Sequence, residues 1–236
     1  MVIKKNNLIY RFKDCINETL NNPKLKVTNV QNDFLENYDD EYINSEAELF
    51  FEDNGFKLSE EVKEFCCFPA NPLTLSWVVE DDFFDYEVAG GFSLRELDAC
   101  LNFDENKYII HNPDLSEGIK KILSNSYYFD IQPDVFHELA TLLKRINEEL
   151  NFWYIEFQSV YKLDLDLKIY LEALLITRGI TNWQLFFCEK IHNKNKNNIL
   201  KEKLDRILFC LKYLFPNTNF KILEERYAFH FNIENI

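Results

Sequence analysis

The stretch LTLSWVVEDDFFDYEVA, from Leu73 to Ala89, decides how this chain is read. Two runs rich in β-branched and aromatic residues, Leu73–Val79 and Phe83–Ala89, flank the acidic triplet Glu80-Asp81-Asp82. Apolar runs of that length, bounded by turn residues, predict two strands of a hairpin with an acidic tip. Gly90-Gly91 then predicts the end of the second strand, and Ser93 with Glu96 predicts a capping box opening a helix over SLRELDACL.

Working outward, the period changes to that of helices. Leu8, Ile9, Phe12, Ile16 and Leu20 form one stripe, closed by Asn21-Asn22-Pro23. KLKVTNV predicts a short strand, and residues 41–53 a helix with Gly55 in the left-handed position after its end. Ser59 predicts the N-cap of a short helix that Pro69 stops. KYIIH and FWYIEF predict further strands. The C-terminal half predicts helices over Pro133–Leu150, Leu167–Gly179, Thr181–Ile191 and Asn197–Pro216. The fold class is therefore α+β: a small antiparallel sheet in the first half packed with helices, and a mostly helical C-terminal half. No repeat and no long linker divides the chain, so residues 1–236 read as one domain, with an acidic sheet-bearing part at about 33–111 and a helical part at about 113–215.

Charge is sorted along the chain. Residues 33–105 hold 21 Asp/Glu against three Lys/Arg, whereas the remainder is slightly basic within a total of −14. This balance argues against nucleic acid, whose binders replace phosphate counterions with Lys/Arg clusters, and against adsorption to anionic membranes. No run approaches the roughly 18 apolar residues of a membrane span. The N-terminal MVIKKNNLIYRFKDC has no apolar core of signal-peptide length. Six cysteines without a framework spacing then read as reduced, mostly buried thiols, which predicts a cytosolic protein.

Motifs for catalysis are missing. His111, His137, His192 and His230 stand far apart, and neither HExxH, GxSxG, GxGxxG nor a Walker lysine occurs. Asp81, Asp82, Asp85 and Glu87 lack the interleaved Asn/Gly pattern of a calcium loop. The expectation is therefore no enzyme, no cofactor and no metal. A charge run is usually a solvated surface. Consecutive strand residues face opposite ways, however, so one of Phe83 and Phe84 points outward beside Asp82 and Asp85. An exposed aromatic ringed by acids has the make-up of a protein-binding anchor. Glu80, Asp81, Asp82, Phe83, Phe84, Asp85 and Glu87 are the predicted partner-binding residues. A second surface for a scaffold or regulatory role is the apolar stripe Leu204, Ile207, Leu208 and Leu211, which equally suits ordinary core packing.

Several segments together resemble the SUKH superfamily of cell-wall-assembly regulators and bacterial immunity proteins. The likeness runs from EAELFFEDNGFKLSEEVKEFCCF (Glu46–Phe68) through LTLSWVV and the step Gly91-Phe92-Ser93-Leu94 to YLEALLITRGITNWQLFF (Tyr170–Phe187). Ser59 stands where that family carries a proline, and Phe68–Pro72 replaces its Asn-Gly. The resemblance implies an α+β protein-binding module that neutralises a toxin, often a nuclease. Nucleases present basic surfaces to a polyanionic substrate, so an acidic face suits such a partner.

Overall fold

The computed structural model describes residues 8–32, 39–67, 72–80, 83–102, 107–108, 115–133, 139–146, 149–157, 159–190 and 194–232. Helix α1 (Leu8–Leu20) leads into strand β1 (Leu25–Gln31) and helix α2 (Asp40–Asn54). A short 3-10 turn (Lys63–Cys67) precedes β2 (Leu73–Val79), β3 (Ala89–Leu94), α3 (Leu97–Asn102) and α4 (Glu117–Leu123). Strands β4 (Tyr127–Ile131), β5 (Leu139–Ile146), β6 (Glu149–Glu156) and β7 (Ser159–Lys162) follow. Helix α5 (Leu167–Thr177), a second 3-10 turn (Trp183–Phe187), α6 (Lys194–Leu214) and α7 (Lys221–Phe231) complete the chain.

The α+β class is as expected, and α1, α2, α5 and α6 form where their periodicity predicts. Asp39 caps α2 by accepting from the Tyr42 N–H, and Gly55 closes it at φ +72. The sheet is an antiparallel meander in the order β1-β2-β3-β4-β5-β6-β7, so it continues well beyond the first half.

Several predicted elements differ. The helix expected over Pro133–Leu150 is a hairpin of β5 and β6, paired from Leu139↔Glu156 to Ile146↔Glu149. Strand β5 is buried on both faces: Leu139 and Leu143 join the main core, while Ala140 and Leu142 pack under α4 with Leu123 and Ile155. A strand covered on both sides loses its alternation, and its apolar run then mimics helical spacing. The predicted strand Phe83–Ala89 is irregular up to Val88, and β3 starts only at Ala89. Ser93 lies within β3 and α3 begins at Leu97, so the capping box does not form. The helix expected over Thr181–Ile191 is only the 3-10 turn at Trp183–Phe187, and α7 was not foreseen. Of the strand predicted at KYIIH, Lys107 bridges to Tyr127, while Ile109–His111 lie outside the described residues.

Gly90-Gly91 does not end a strand. It lets β3 be approached from both sides. A Cβ on Gly90 would sit 2.2 Å from the Trp77 ring, and one on Gly91 (φ +154) would sit 2.3 Å from the Leu75 carbonyl oxygen. Along its other edge β3 meets β4 only at Leu94↔Asp130. The free part of that edge is taken by the segment after α5. The Gly91 N–H donates to Gly179 O at 2.9 Å, the Thr181 N–H donates to Ala89 O at 3.1 Å, and Gly90 bridges Ile180. Gly179 (φ +70) is equally confined, since its Cβ would lie 2.4 Å from Gly91 O. Gly90 and Gly179 thus let a helix terminus wedge into the seam of the sheet, while Gly91 lets β3 lie close against β2. Trp77 clamps the wedge by donating from Nε1 to Arg178 O at 2.8 Å.

Among the described residues, no helix is long and apolar enough to cross a membrane. Cys15, Cys66, Cys100, Cys188 and Cys210 are buried free thiols.

Gly179→Ala is expected to destabilise the protein by more than about 2 kcal/mol, because a left-handed φ and a backbone clash add. Gly118→Ala in α4, whose Cβ would meet nothing closer than 3.9 Å, is expected to stay within about 0.5 kcal/mol of the parent. Urea unfolding of the two variants separates these outcomes, and equal midpoints would contradict the wedge.

Candidate functional site

Past β2 the chain leaves the sheet and folds onto α6. The Glu80 N–H donates to Lys24 O at 3.1 Å, and its exposed carboxylate pairs with Lys26 at 3.4 Å. Asp81 and Asp82 lie outside the described residues. Phe83 stacks on Tyr213, with ring centroids 4.3 Å apart and planes within 4° of parallel. It also stacks more loosely on Phe209, at 5.9 Å. Phe84 meets Tyr213 and Phe209 edge-on at 5.4 and 6.1 Å, and Tyr86 places its hydroxyl 3.4 Å from Cys210 Sγ. Burial, then the contact with Cys210, pushes the Tyr86 phenol up to about 12.

The receiving residues Arg206, Phe209, Cys210 and Tyr213 follow the i, i+3, i+4, i+7 spacing of one helix face. That stripe stands beside the buried Leu204, Ile207 and Leu211, which α6 gives to the core. The apolar stripe considered for a scaffold role is thus mostly spent inside the protein.

Phe83 and Phe209 each remain 53% exposed. Asp85 and Glu87 are exposed and Phe84 is half-buried. One Phe of the pair does face outward, as expected. The cause is packing on α6, since residues 83–88 are not a strand. The remaining acids divide among separate elements. Glu41, Glu48 and Glu52 line the outer side of α2, while Glu60 and Glu61 pair with Lys63 and Lys168.

Beside the aromatic cluster lies a cleft of about 440 Å³, between residues 86–89, the turn 180–182 and α6. Its floor is apolar, from Val88, Ala89, Ile180, Ile207 and Cys210. Polar groups stand around it. Lys203 is held by the buried carboxylate of Glu156, and Arg206 pairs with Glu202 at 2.6 Å while lying 5.1 Å from the Tyr86 ring centroid. Asn182, in the left-handed region at φ +69, accepts the Tyr154 hydroxyl at 2.6 Å. Gln132 donates from Nε2 to the Thr181 hydroxyl at 2.6 Å. Sequence reasoning missed Phe209 and Tyr213 on one side and Lys203, Arg206, Thr181 and Asn182 on the other. The available signal was the second face of α6.

At the seam itself Asp130 is fully buried. It accepts from the Ser93 N–H at 3.0 Å and from the Tyr170 hydroxyl at 2.7 Å. The Tyr170 hydroxyl also lies 2.9 Å from Thr141 Oγ1, to which Gln184 donates at 3.3 Å. This network substitutes for the backbone ladder that β3 and β4 lack. Burial outweighs both hydrogen bonds and pushes the Asp130 carboxyl up to about 7. Of the four histidines only His230 is among the described residues, where burial lowers its pKa and its Nε2 lies 3.0 Å from Phe186 O. Among the described residues, no three His, Cys, Asp or Glu gather as a metal site.

Comparison with protein-family models, curated proteins and solved structures returned no match for this chain.

A carboxyl whose folded pKa lies above its unfolded value stabilises the fold fully below the unfolded value, and that stabilisation is lost as pH rises toward the folded one. Asp130 is therefore expected to lower stability as pH climbs from about 4 to about 7. Asp130→Asn, which keeps an acceptor for Ser93, should flatten this part of the profile. Urea midpoints at several pH values check it, and parallel profiles for the two proteins would contradict it.

Proposed function

We propose that this chain is a cytosolic, non-enzymatic protein-binding module of the immunity type, which neutralises a toxin domain with a basic surface. The observation that carries the reading is the pair of stacked, half-exposed rings of Phe83 and Phe209 beside Asp85. Large exposed aromatics held in place lose little side-chain freedom on binding, so more of their buried area counts toward affinity. Phe83 is held by its parallel stack on Tyr213. The carboxylates of Glu80, Asp85 and Glu87, with Asp81 and Asp82 in the same stretch, supply attraction for a cationic partner. At physiological salt that attraction reaches about 8 Å, so it acts mainly on the rate and orientation of encounter. The SUKH-like segments support the immunity reading, and the basic surface that nucleases need favours a nuclease among toxins.

The test is to measure, at low and high salt, the binding kinetics of any basic toxin domain that a neighbouring gene encodes. Replacing Glu80, Asp85 and Glu87 together by their amides is expected to slow association about tenfold at low salt and to flatten its salt dependence. Phe83→Ala combined with Phe209→Ala should instead speed dissociation, at a cost of about 2 kcal/mol or more. Association of the triple variant at the parental rate at every salt concentration would remove the assignment, as would failure of the parent to bind.

A further inference from the structure

We propose that the seam cleft is a binding site for a small planar organic anion, an aromatic ring carrying a carboxylate or a phosphate. The inference is independent of partner binding at Phe83. A volume of about 440 Å³ falls within the range of about 300–1,000 Å³ typical of small-molecule sites, and the apolar floor with a few convergent polar groups matches their make-up.

Two cations line the cleft, each paired with a carboxylate. In a protein with 14 surplus negative charges, this wall presents Lys203 and Arg206 one turn apart on α6. Their present partners leave both cations usable. Arg206 and Glu202 are more than half exposed, and such a pair is worth only about 0–1 kcal/mol, so the guanidinium can turn to a ligand at little cost. Lys203 is fixed by Glu156, yet an ammonium has three N–H donors and keeps the others for a ligand. The guanidinium beside Tyr86 gives a flat, cationic surface on which an aromatic ring can stack. Across the cleft the Asn182 carboxamide offers its Nδ2 donors to the polar edge of that ring. Its oxygen is fixed by the Tyr154 hydroxyl, and the neighbouring Thr181 hydroxyl is fully engaged, accepting from Gln132 and donating to Ala89 O at 2.9 Å, so the geometry is set before a ligand arrives. Among the described residues, Glu87 on the rim is the one carboxylate lining the cleft, and it opposes an anion.

The experiment is isothermal titration calorimetry of the full chain with adenosine 5′-monophosphate and with naphthalene-2-carboxylate, using adenosine and inorganic phosphate as controls. At least one of the two aromatic anions is expected to bind one-to-one with a Kd below about 1 mM, and at least tenfold tighter than either control. Binding of the nucleotide alone assigns a phosphate-bearing ligand, and binding of the naphthoate alone assigns a carboxylate. Arg206→Gln should weaken the bound anion about tenfold, through loss of a charged hydrogen bond. Glu87→Gln should tighten it, a gain that misfolding cannot imitate. Absence of saturable binding by both anions, a control that binds as tightly, or an Arg206→Gln variant with unchanged affinity would each overturn the proposal.

Discussion

The contact between Gly90-Gly91 and Gly179 is the constraint on which the rest depends. A Cβ on Gly179 would lie 2.4 Å from Gly91 O and one on Gly90 would lie 2.9 Å from the Ile180 Cα, so glycine allows the two backbones to meet, while Gly91 lets β3 lie close against Leu75 of β2. The meeting has two consequences. It parts β3 from β4 over most of their length, leaving Asp130 and Tyr170 to bridge the gap through side chains. It also carries the chain from Arg178 to Asn182 over the sheet edge, opposite the segment that descends from Phe83. Helix α6 then packs against both, and the aromatic patch and the cleft arise on either side of that packing.

Much of this architecture was legible from local signals. The boundaries of α1 and α2 follow from their stripes, from Pro23 and from the Gly55 cap. Strands β1, β2 and β6 follow from β-branched and aromatic content. Local signals failed where tertiary packing reversed their meaning. Gly90-Gly91 reads as a turn because glycine usually marks one, and its role as a contact surface appears only when Trp77 and Gly179 are present. Leu139–Leu143 reads as helix because helices on both sides of β5 erase its alternation. The Ser93–Glu96 capping box has the right residues, but the Ser93 N–H is already taken by Asp130.

The residues of the candidate sites divide in the same way. The acidic, aromatic stretch around Phe83 stood out through its composition. Its partners on α6 did not, since Phe209 and Tyr213 look like ordinary members of an apolar helix until Phe83 is laid against them. The cleft was wholly out of reach. Its walls come from three stretches about 90 and 25 residues apart in sequence, and its cations sit in a helix whose charges read as a solvated face.

If the glycine contact sets the geometry of the whole region, its backbone hydrogen bonds must open only when the protein unfolds. Amide hydrogen exchange of Gly91 and Thr181, resolved by NMR and compared with the amides shared by β5 and β6, measures this directly. Protection equal to that of the β5–β6 hairpin is the predicted result. Exchange at the rate of an exposed turn, with the hairpin still protected, would contradict it.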